Sequence, residues 1–324
     1  MAQDGHLQID AALDGLALAS ALKRLSPDHT WSQVKRLIAT RHVNVNGALI
    51  TDPARPVHQG DWIELLARSR PMPPSEQDVG IRHLDEHLVV VEKPPRIVAV
   101  RRAEELGWSD AQKAERPALD EMLTRMLRAR PGMPPDLVVR GVHRLDRDTS
   151  GLMVFALSDE AQEPLAALFQ AHAIERHYLA IVHGHPRAQR IESWLVRDRG
   201  DGLRGSSPRG ALTPHAHRSI THIDPVESVG PYSVIRCRLE TGRTHQIRIH
   251  LFELGHMLCG ERTYTHRPGE PPQRETNRAP RQALHSTEVR FLHPVTRQEL
   301  HFVSPLAPDL AKWLDRARRG CGKS

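Results

Sequence analysis

The chain has 324 residues, 45 Lys plus Arg against 39 Asp plus Glu, a formal charge of +6, and 3 cysteines. Such a length holds one large domain and one small one with substantial cores, and the basic excess suits a polyanionic partner such as nucleic acid without requiring one. Cys237, Cys259 and Cys321 show no paired spacing, which argues against a disulfide framework and a thiolate zinc site; no run approaches the ~20 apolar residues of a spanning helix. The opening MAQDGHLQID lacks an apolar core of signal-peptide length, so a soluble, cytoplasmic protein is expected.

Leu18, Leu22 and Leu25 at i, i+4, i+7 predict a helix ending near Ser26-Pro27. Thr30 is placed to cap a second helix with the apolar stripe Trp31, Val34, Leu37 and Ile38. Its other face carries Lys35 and Arg36, with Arg41 and His42 just past its end; by charge alone these read as a solvated face. HVNVNGALIT is a hairpin closed by Asn46-Gly47, and Gly60-Asp61 turns the chain into a strand from Trp62 to Leu66. Ala67 to Val79 is proline-rich and polar, a semi-rigid linker.

Leu88 to Lys93 is a continuous apolar run, a buried strand closed by Pro94-Pro95. Arg101 to Arg116 reads as polar loop, and Leu119, Met122, Leu123, Met126 and Leu127 as an amphipathic helix. After a strand at Val138-Val139 comes HRLDRDTSG, His143 to Gly151, then the apolar run Leu152 to Leu157, so Asp146 falls on a turn between strands. Spacing alone leaves Asp146 and Asp148 both open, each as a functional carboxylate or as a turn former paired with Arg144 or Arg147. Ser158 caps a helix with Pro164 in its first turn and Leu165, Leu168 and Phe169 apolar; Tyr178, Ala180 and Val182 then share one face of a strand.

Arg197 to Gly210 is a glycine-rich basic loop, either mobile surface or an arm along an RNA backbone. YSVIRCRLE alternates, with Ile235, Cys237 and Leu239 inward and Arg236, Arg238 and Glu240 outward. Thr241-Gly242 opens a helix to Leu254 on the stripe Ile247, Leu251, Leu254; Arg243 and His245 in its first turn oppose the helix dipole, which suits contact more than stability. His266 to Gln282 reads as an exposed insertion, followed by two strands around Pro294-Val295-Thr296-Arg297 and a frayed basic tail after Trp313. The pairs His183-x-His185 and His215-x-His217 lack spaced acidic partners and read as surface histidines, so no metal is expected.

Taken together, HRLDRDTSG, GRTHQIRIH at 242–250, Tyr178-Leu179-Ala180-Ile181-Val182-His183-Gly184 and Lys93-Pro94 resemble the RluA-type pseudouridine synthases over roughly residues 81–310. Ser32 to Ile38, Val43 to Gly47 and Gly60 to Ile63 resemble the S-four-like RNA-binding domain. Three departures stand out: Gly15-Leu16-Ala17 where Arg-Leu-Asp is common, Arg96 for a glycine, and Glu261 for an aspartate. The resemblance implies an α/β (α+β) chain: a mixed, largely antiparallel sheet with flanking helices, plus a small α/β RNA-binding domain. It divides the sequence into 1–67 RNA-binding domain, 68–80 linker, 81–315 catalytic domain and 316–324 basic tail.

The same resemblance makes Asp146 the reacting carboxylate and Asp148 structural, pairs Arg248 with Asp146, and puts Tyr178 in the uracil pocket. Arg144 becomes the wedge that fills the space of a flipped base, and Arg147, Arg243, His245 and Gln246, with Lys35, Arg36 and Arg41, become RNA contacts. It implies no cofactor or metal, RNA as partner (ribosomal first, transfer RNA second), no membrane, and a monomer. The other class of function open to such a chain is a non-catalytic, ribosome-associated RNA-binding protein, which Asp146→Asn separates from an enzyme.

Overall fold

A computed structural model describes residues 6–67, 69–208, 210–271 and 277–321. It divides into two compact units, residues 1–73 and 74–324. In the first, strand β1 (His6–Gln8), helices α1 (Leu18–Leu25) and α2 (Trp31–Ala39), and strands β2 (Val43–Val45), β3 (Ala48–Leu49) and β4 (Trp62–Leu65) follow in order. The sheet order is β1-β4-β2-β3, and Leu18, Leu22, Val34, Ile38, Val43, Val45 and Ile63 form its core. Thr30 and Gln33 make a reciprocal capping box at α2. Asn46 and Gly47 both take positive φ, 52° and 76°, the conformation a two-residue hairpin turn demands. Trp31 departs from the apolar stripe expected of it: it sits 50% exposed on the solvent side of α2.

In the second unit come β5 (Gly80–Leu84), β6 (Leu88–Lys93), α3 (Asp110–Glu115), α4 (Leu119–Arg128), β7 (Arg140–Gly141) and β8 (Ser150–Ala156). Then follow α5 (Asp159–Gln170), β9 (Glu175–His183), β10 (Gln189–Val196), β11 (Gly205–Ser206), β12 (His217–Val229) and β13 (Tyr232–Leu239). The unit closes with α6 (Gln246–Glu253), β14 (Leu284–Leu292), β15 (Glu299–Val303) and α7 (Pro308–Cys321). The strands form one 11-stranded sheet in the order β11-β10-β12-β13-β9-β14-β8-β6-β5, with β15 on β14 and β7 on β8. Among the described strands only the β8–β14 pairing is parallel, so the sheet is mixed and largely antiparallel. Its β6 and β8 carry the buried apolar runs 88–91 and 152–156 because both faces there are covered. Val89, Val91, Met153 and Phe155 pack toward α4 and α6, while Leu88, Val90, Leu152 and Val154 pack toward α5.

Several expectations need correction. Arg101 to Arg116 holds α3, its start capped reciprocally by Ser109 and Gln112. Pro164 lies past the first turn of α5, which begins at Asp159 under a Ser158 cap. The sequence 241–245 is not helical: α6 begins at Gln246, after His245 in the left-handed conformation, φ 60°. The glycine-rich loop 197–210, of which residue 209 lies outside the described residues, carries β11. It is tied back by Asp198, which accepts from the backbone of Gly200 and Gly202, and by Arg199 donating to Asp201 and to the carbonyl of His266. The proline-rich insertion is not exposed to its end: Arg281 and Gln282 are buried, while its residues 272–276 lie outside the described set. The tail does not fray at Trp313, since α7 continues through Cys321; residues 322–324 lie outside the described set. Within the linker, residue 68 is likewise outside it, and Arg41 donates to the carbonyls of Arg70 and Pro71.

Candidate active site

The loop from His143 to Thr149 joins β7 to β8 and is clamped from below. Lys93, at the end of β6 and 1% exposed, donates its ammonium to the carbonyls of Pro94, Ile97 and Arg147 at 2.9, 2.9 and 3.0 Å. Burial pulls its pKa down to about 7, and three carbonyl acceptors match three ammonium protons. The Arg147 carbonyl also accepts from the backbone of Arg96 at 2.8 Å. Arg96 has φ 70°, so the turn keeps the left-handed conformation of the glycine it replaces, held by that bond.

On the other side Arg281 donates to the Asp148 carbonyl and to Ser150 Oγ at 2.9 and 2.8 Å, itself fixed by a bidentate pair with Asp309. Gln282 donates to Thr149 Oγ1 at 2.9 Å. His143 stacks on Phe169 with ring centroids 4.0 Å apart, and its Nε2 accepts from the Val154 amide at 3.0 Å. That bond needs a free lone pair, and burial depresses the imidazole pKa to about 3, so His143 is a neutral strut.

This clamp presents Asp146 at the centre of the sheet. Its Oδ2 accepts from Arg248 Nη1 at 3.1 Å, and its Oδ1 lies 3.7 Å from His245 Nε2. Arg248 also donates Nε and Nη2 to Glu261 at 2.8 and 2.6 Å. Glu261 in turn accepts from the backbone amides of Arg262 and Thr263 at 3.0 and 2.9 Å. Burial works against both charges, yet Arg248 is raised and Glu261 lowered, because each holds the other ionised. One arginine is thus fixed by a buried carboxylate behind and aims at a more accessible one in front. Tyr264 underlies the pair, its ring 5.2 Å from the guanidinium and its hydroxyl 2.7 Å from His245 Nδ1.

Asp146, Tyr178 and Arg248 line a single cleft of about 350 Å³ with Leu145, Phe169 and Leu284, a size that holds one small planar group with part of its attachment. Tyr178 is 6% exposed on β9, between Cys237 of β13 and Ser286 of β14 in register. Burial raises the phenol pKa, so it is neutral and offers a flat apolar face. Arg144 and Arg243 are exposed at the cleft, and His245 is partly exposed in its wall. Arg147 is exposed and lines a neighbouring hollow of about 510 Å³ on the far side of the loop.

Gln246 has no free amide atom for a ligand: it is 2% exposed, accepts from Thr241 and the Arg243 amide, and donates to Ile220 and Thr221. Its place is structural, folding the 241–245 turn that delivers His245. In the first unit Lys35 and Arg36 are exposed on α2, whereas Arg41 is 9% exposed and engaged with carbonyls. The paired histidines are dispersed: His185 meets Ser233, and His183 packs edge-on against Tyr232. Arg281 and Gln282 are site-building residues that patterning missed, because their partners lie far off in the chain, while Lys93 and Glu261 stood in family segments without a part assigned to them.

Residues 87–253 match the family model of RNA pseudouridylate synthases, and residues 18–63 match that of the S4 domain. The chain is 34% identical over 91% of its length, and 90% of the relative's, to the ribosomal large subunit pseudouridine synthase D of Zymomonas mobilis subsp. mobilis. To the Escherichia coli (strain K12) protein of that name it is 30% identical over 94% of this chain and 91% of the other. Among solved structures, human RNA pseudouridylate synthase domain containing 1 superposes with a TM-score of 0.54 at 25% identity, covering 78% of this chain and 98% of that one.

Proposed function

Because the chain belongs to the RluA-type family of RNA pseudouridine synthases and carries an S4 RNA-binding domain, we propose that it isomerises uridine in large-subunit ribosomal RNA, with Asp146 as the reacting group. The named substrate of its relatives supports the choice of RNA. In the reaction the bond from C1′ to N1 breaks, the base turns, and C1′ joins C5; the C5 proton leaves and N1 ends protonated. Atoms and electrons balance within the nucleotide, so no redox partner or activated donor is consumed.

What the site must supply is a carboxylate kept ionised and aimed, a flat wall for the base, and exclusion of water while the fragments are apart. The observation that carries the reading is the Glu261–Arg248–Asp146 chain of ion pairs opening into the cleft beside Tyr178. The guanidinium pairs with Asp146 and aims its carboxylate, which attacks C1′ or takes a ribose proton. Tyr178 supplies a stacking face. A uridine reaches such a cleft only by leaving its stack, and Arg144, exposed on the loop two residues from Asp146, is placed to occupy the gap. Lys35 and Arg36 on α2 add phosphate contacts.

The test is conversion of a large-subunit ribosomal RNA transcript by purified protein, with pseudouridines mapped by base-specific chemistry. Wild type is expected to convert defined uridines. Asp146→Asn is expected to abolish conversion while leaving RNA affinity within a few-fold. Absence of conversion by wild type, or activity surviving in Asp146→Asn, overturns the reading.

A further inference from the structure

Arg176 stands on β9 two residues before Tyr178, in the wall of the same cleft. It is 6% exposed, with its guanidinium 5.5 Å over the Phe169 ring. Its Nε and Nη2 are buried and have no hydrogen-bond partner among the described residues. A buried arginine ordinarily faces a carboxylate. This one faces other bases: it adds to the burial that depresses His172 and His143, and Arg243 acts on His172 in the same direction. Asp146, the carboxylate of the cleft, is engaged by Arg248 instead. On the opposite wall Gly242 leaves the guanidinium its space, since a Cβ there would stand 3.1 Å from Nη1.

We propose that Arg176 binds a backbone phosphate of the target nucleotide, with Arg243 and His172 completing an anion-binding corner of the cleft. The inference rests on the reading above, that the cleft receives a uridine from RNA. Same-face neighbours on a strand are about 6.8 Å apart, so a base lying on Tyr178 has its sugar-phosphate within reach of Arg176. The planar fork of donors on arginine matches phosphate oxygens, and the desolvated setting strengthens each bond. The chain thereby anchors the nucleotide at one end by its phosphate and leaves C1′ over Asp146.

The contact is tested from the ligand side. In an RNA fragment carrying the converted uridine, the phosphate on each side of that uridine is replaced, one at a time, by an uncharged methylphosphonate. At one of the two positions wild type is expected to lose about 10- to 100-fold in kcat/KM and in binding. Arg176→Gln is expected to show a comparable loss with native RNA and no further loss with that phosphonate. Independent, multiplying losses, or no loss at either phosphonate in wild type, overturn the proposal.

If Arg176→Gln does not fold, Gly242→Ala, which only presses on Nη1, is expected to shrink the phosphonate penalty; an undiminished penalty overturns the contact. Binding of the same RNAs reads the phosphate contact even where no pseudouridine forms. Failure of the contact and failure of the proposed reaction are therefore distinguishable.

Discussion

Arg248 is the residue on which the site's electrostatics turn, and what fixes it is Glu261 more than Asp146. Glu261 is 1% exposed, grips two guanidinium nitrogens, and is itself oriented by loop amides. Asp146 accepts a single bond, at 3.1 Å, on the cleft side. Removing Glu261 therefore leaves a buried cation with one partner, and breaking such a pair typically costs about 3–5 kcal/mol. Glu261→Ala is expected to lower the unfolding free energy by that order, read in a denaturant titration, and to reduce kcat more than it raises KM, because the arginine is no longer held against Asp146. Glu261→Asp, the residue usual in the family segment, is expected to lose less on both counts, since a shorter carboxylate can still accept from the amides of Arg262 and Thr263. Wild-type stability in Glu261→Ala would show that Asp146 alone suffices. At this scale contiguous, unusual motifs single out Asp146, Tyr178 and Arg248, and the structure brings the three to one cleft. The sequence did not disclose that Gln246 is buried and engaged inside one of those motifs, since a motif records which residues occur together and not which way each one faces.

Strand β8 is the element that follows the Asp146 loop, and Gly151 near its start is where it passes between β6 and β14. Gly151 has φ 112°, and a Cβ there would lie 2.2 Å from the Ser286 carbonyl oxygen and 2.6 Å from the Ser286 amide nitrogen. Both obstacles are backbone of the paired strand, so neither can swing aside. Gly151→Ala is expected to cost about 3 kcal/mol from overpacking and backbone strain together, read as a lower denaturant midpoint, with conversion lost in proportion to unfolding; an unchanged midpoint would refute the close approach. Elements whose signal is local were legible: α2 from its Thr30 cap, the Asn46-Gly47 hairpin, and β6 from its apolar run. Elements defined by partners were not. The 13-residue β12 runs through Pro225 and shifts register there, and it escaped notice because its alternation is broken at that point. GRTHQIRIH read as helix throughout, yet His245 adopts φ 60° because the Gln246 amide binds the preceding turn, a tertiary constraint that helical periodicity cannot encode. The end of the proline-rich insertion looked like solvent-exposed chain, but Arg281 and Gln282 are bound to Asp148, Thr149 and Ser150 more than a hundred residues away.

Across the catalytic unit, three histidines are held neutral by the fold, and they make its stability sensitive to acid. His250 meets Thr221 and Ser193 hydroxyls at 2.9 Å each; His285 meets Ser150 and Ser304 at 2.9 and 3.2 Å; His143 accepts from the Val154 amide. Burial lowers their pKa values to about 4, 4 and 3 respectively. In the unfolded chain each titrates near 6.5. As pH falls below 6.5 the unfolded state therefore binds protons that the folded state refuses, and stability is lost on acidification until the folded values are reached. Each refused proton is worth about 1.4 kcal/mol per pH unit, so the three histidines give a slope near 4 kcal/mol per unit between about pH 6 and 4. Asp120, whose pKa burial raises to about 6, gains a proton in the folded state and offsets about one of the three. By pH 5 the net loss is about 5 kcal/mol, comparable to the whole stability of a marginal domain. The carboxylates that the fold holds ionised, Glu261 among them, have lowered values and add their own loss only further down. Chemical denaturation of the full chain at half-unit steps from pH 7.5 to 5 is expected to show a shallow upper limb, where folded Lys93 still takes up its proton, and then a steeper fall starting near 6.5. His285→Gln, which keeps hydrogen-bonding capacity but cannot titrate, is expected to make that fall shallower by about 1.4 kcal/mol per pH unit. A stability that stays level down to pH 5 would mean that these imidazoles accept protons in the folded state, and the interior around β8, β12 and α6 would then have to be wetter than its burial implies.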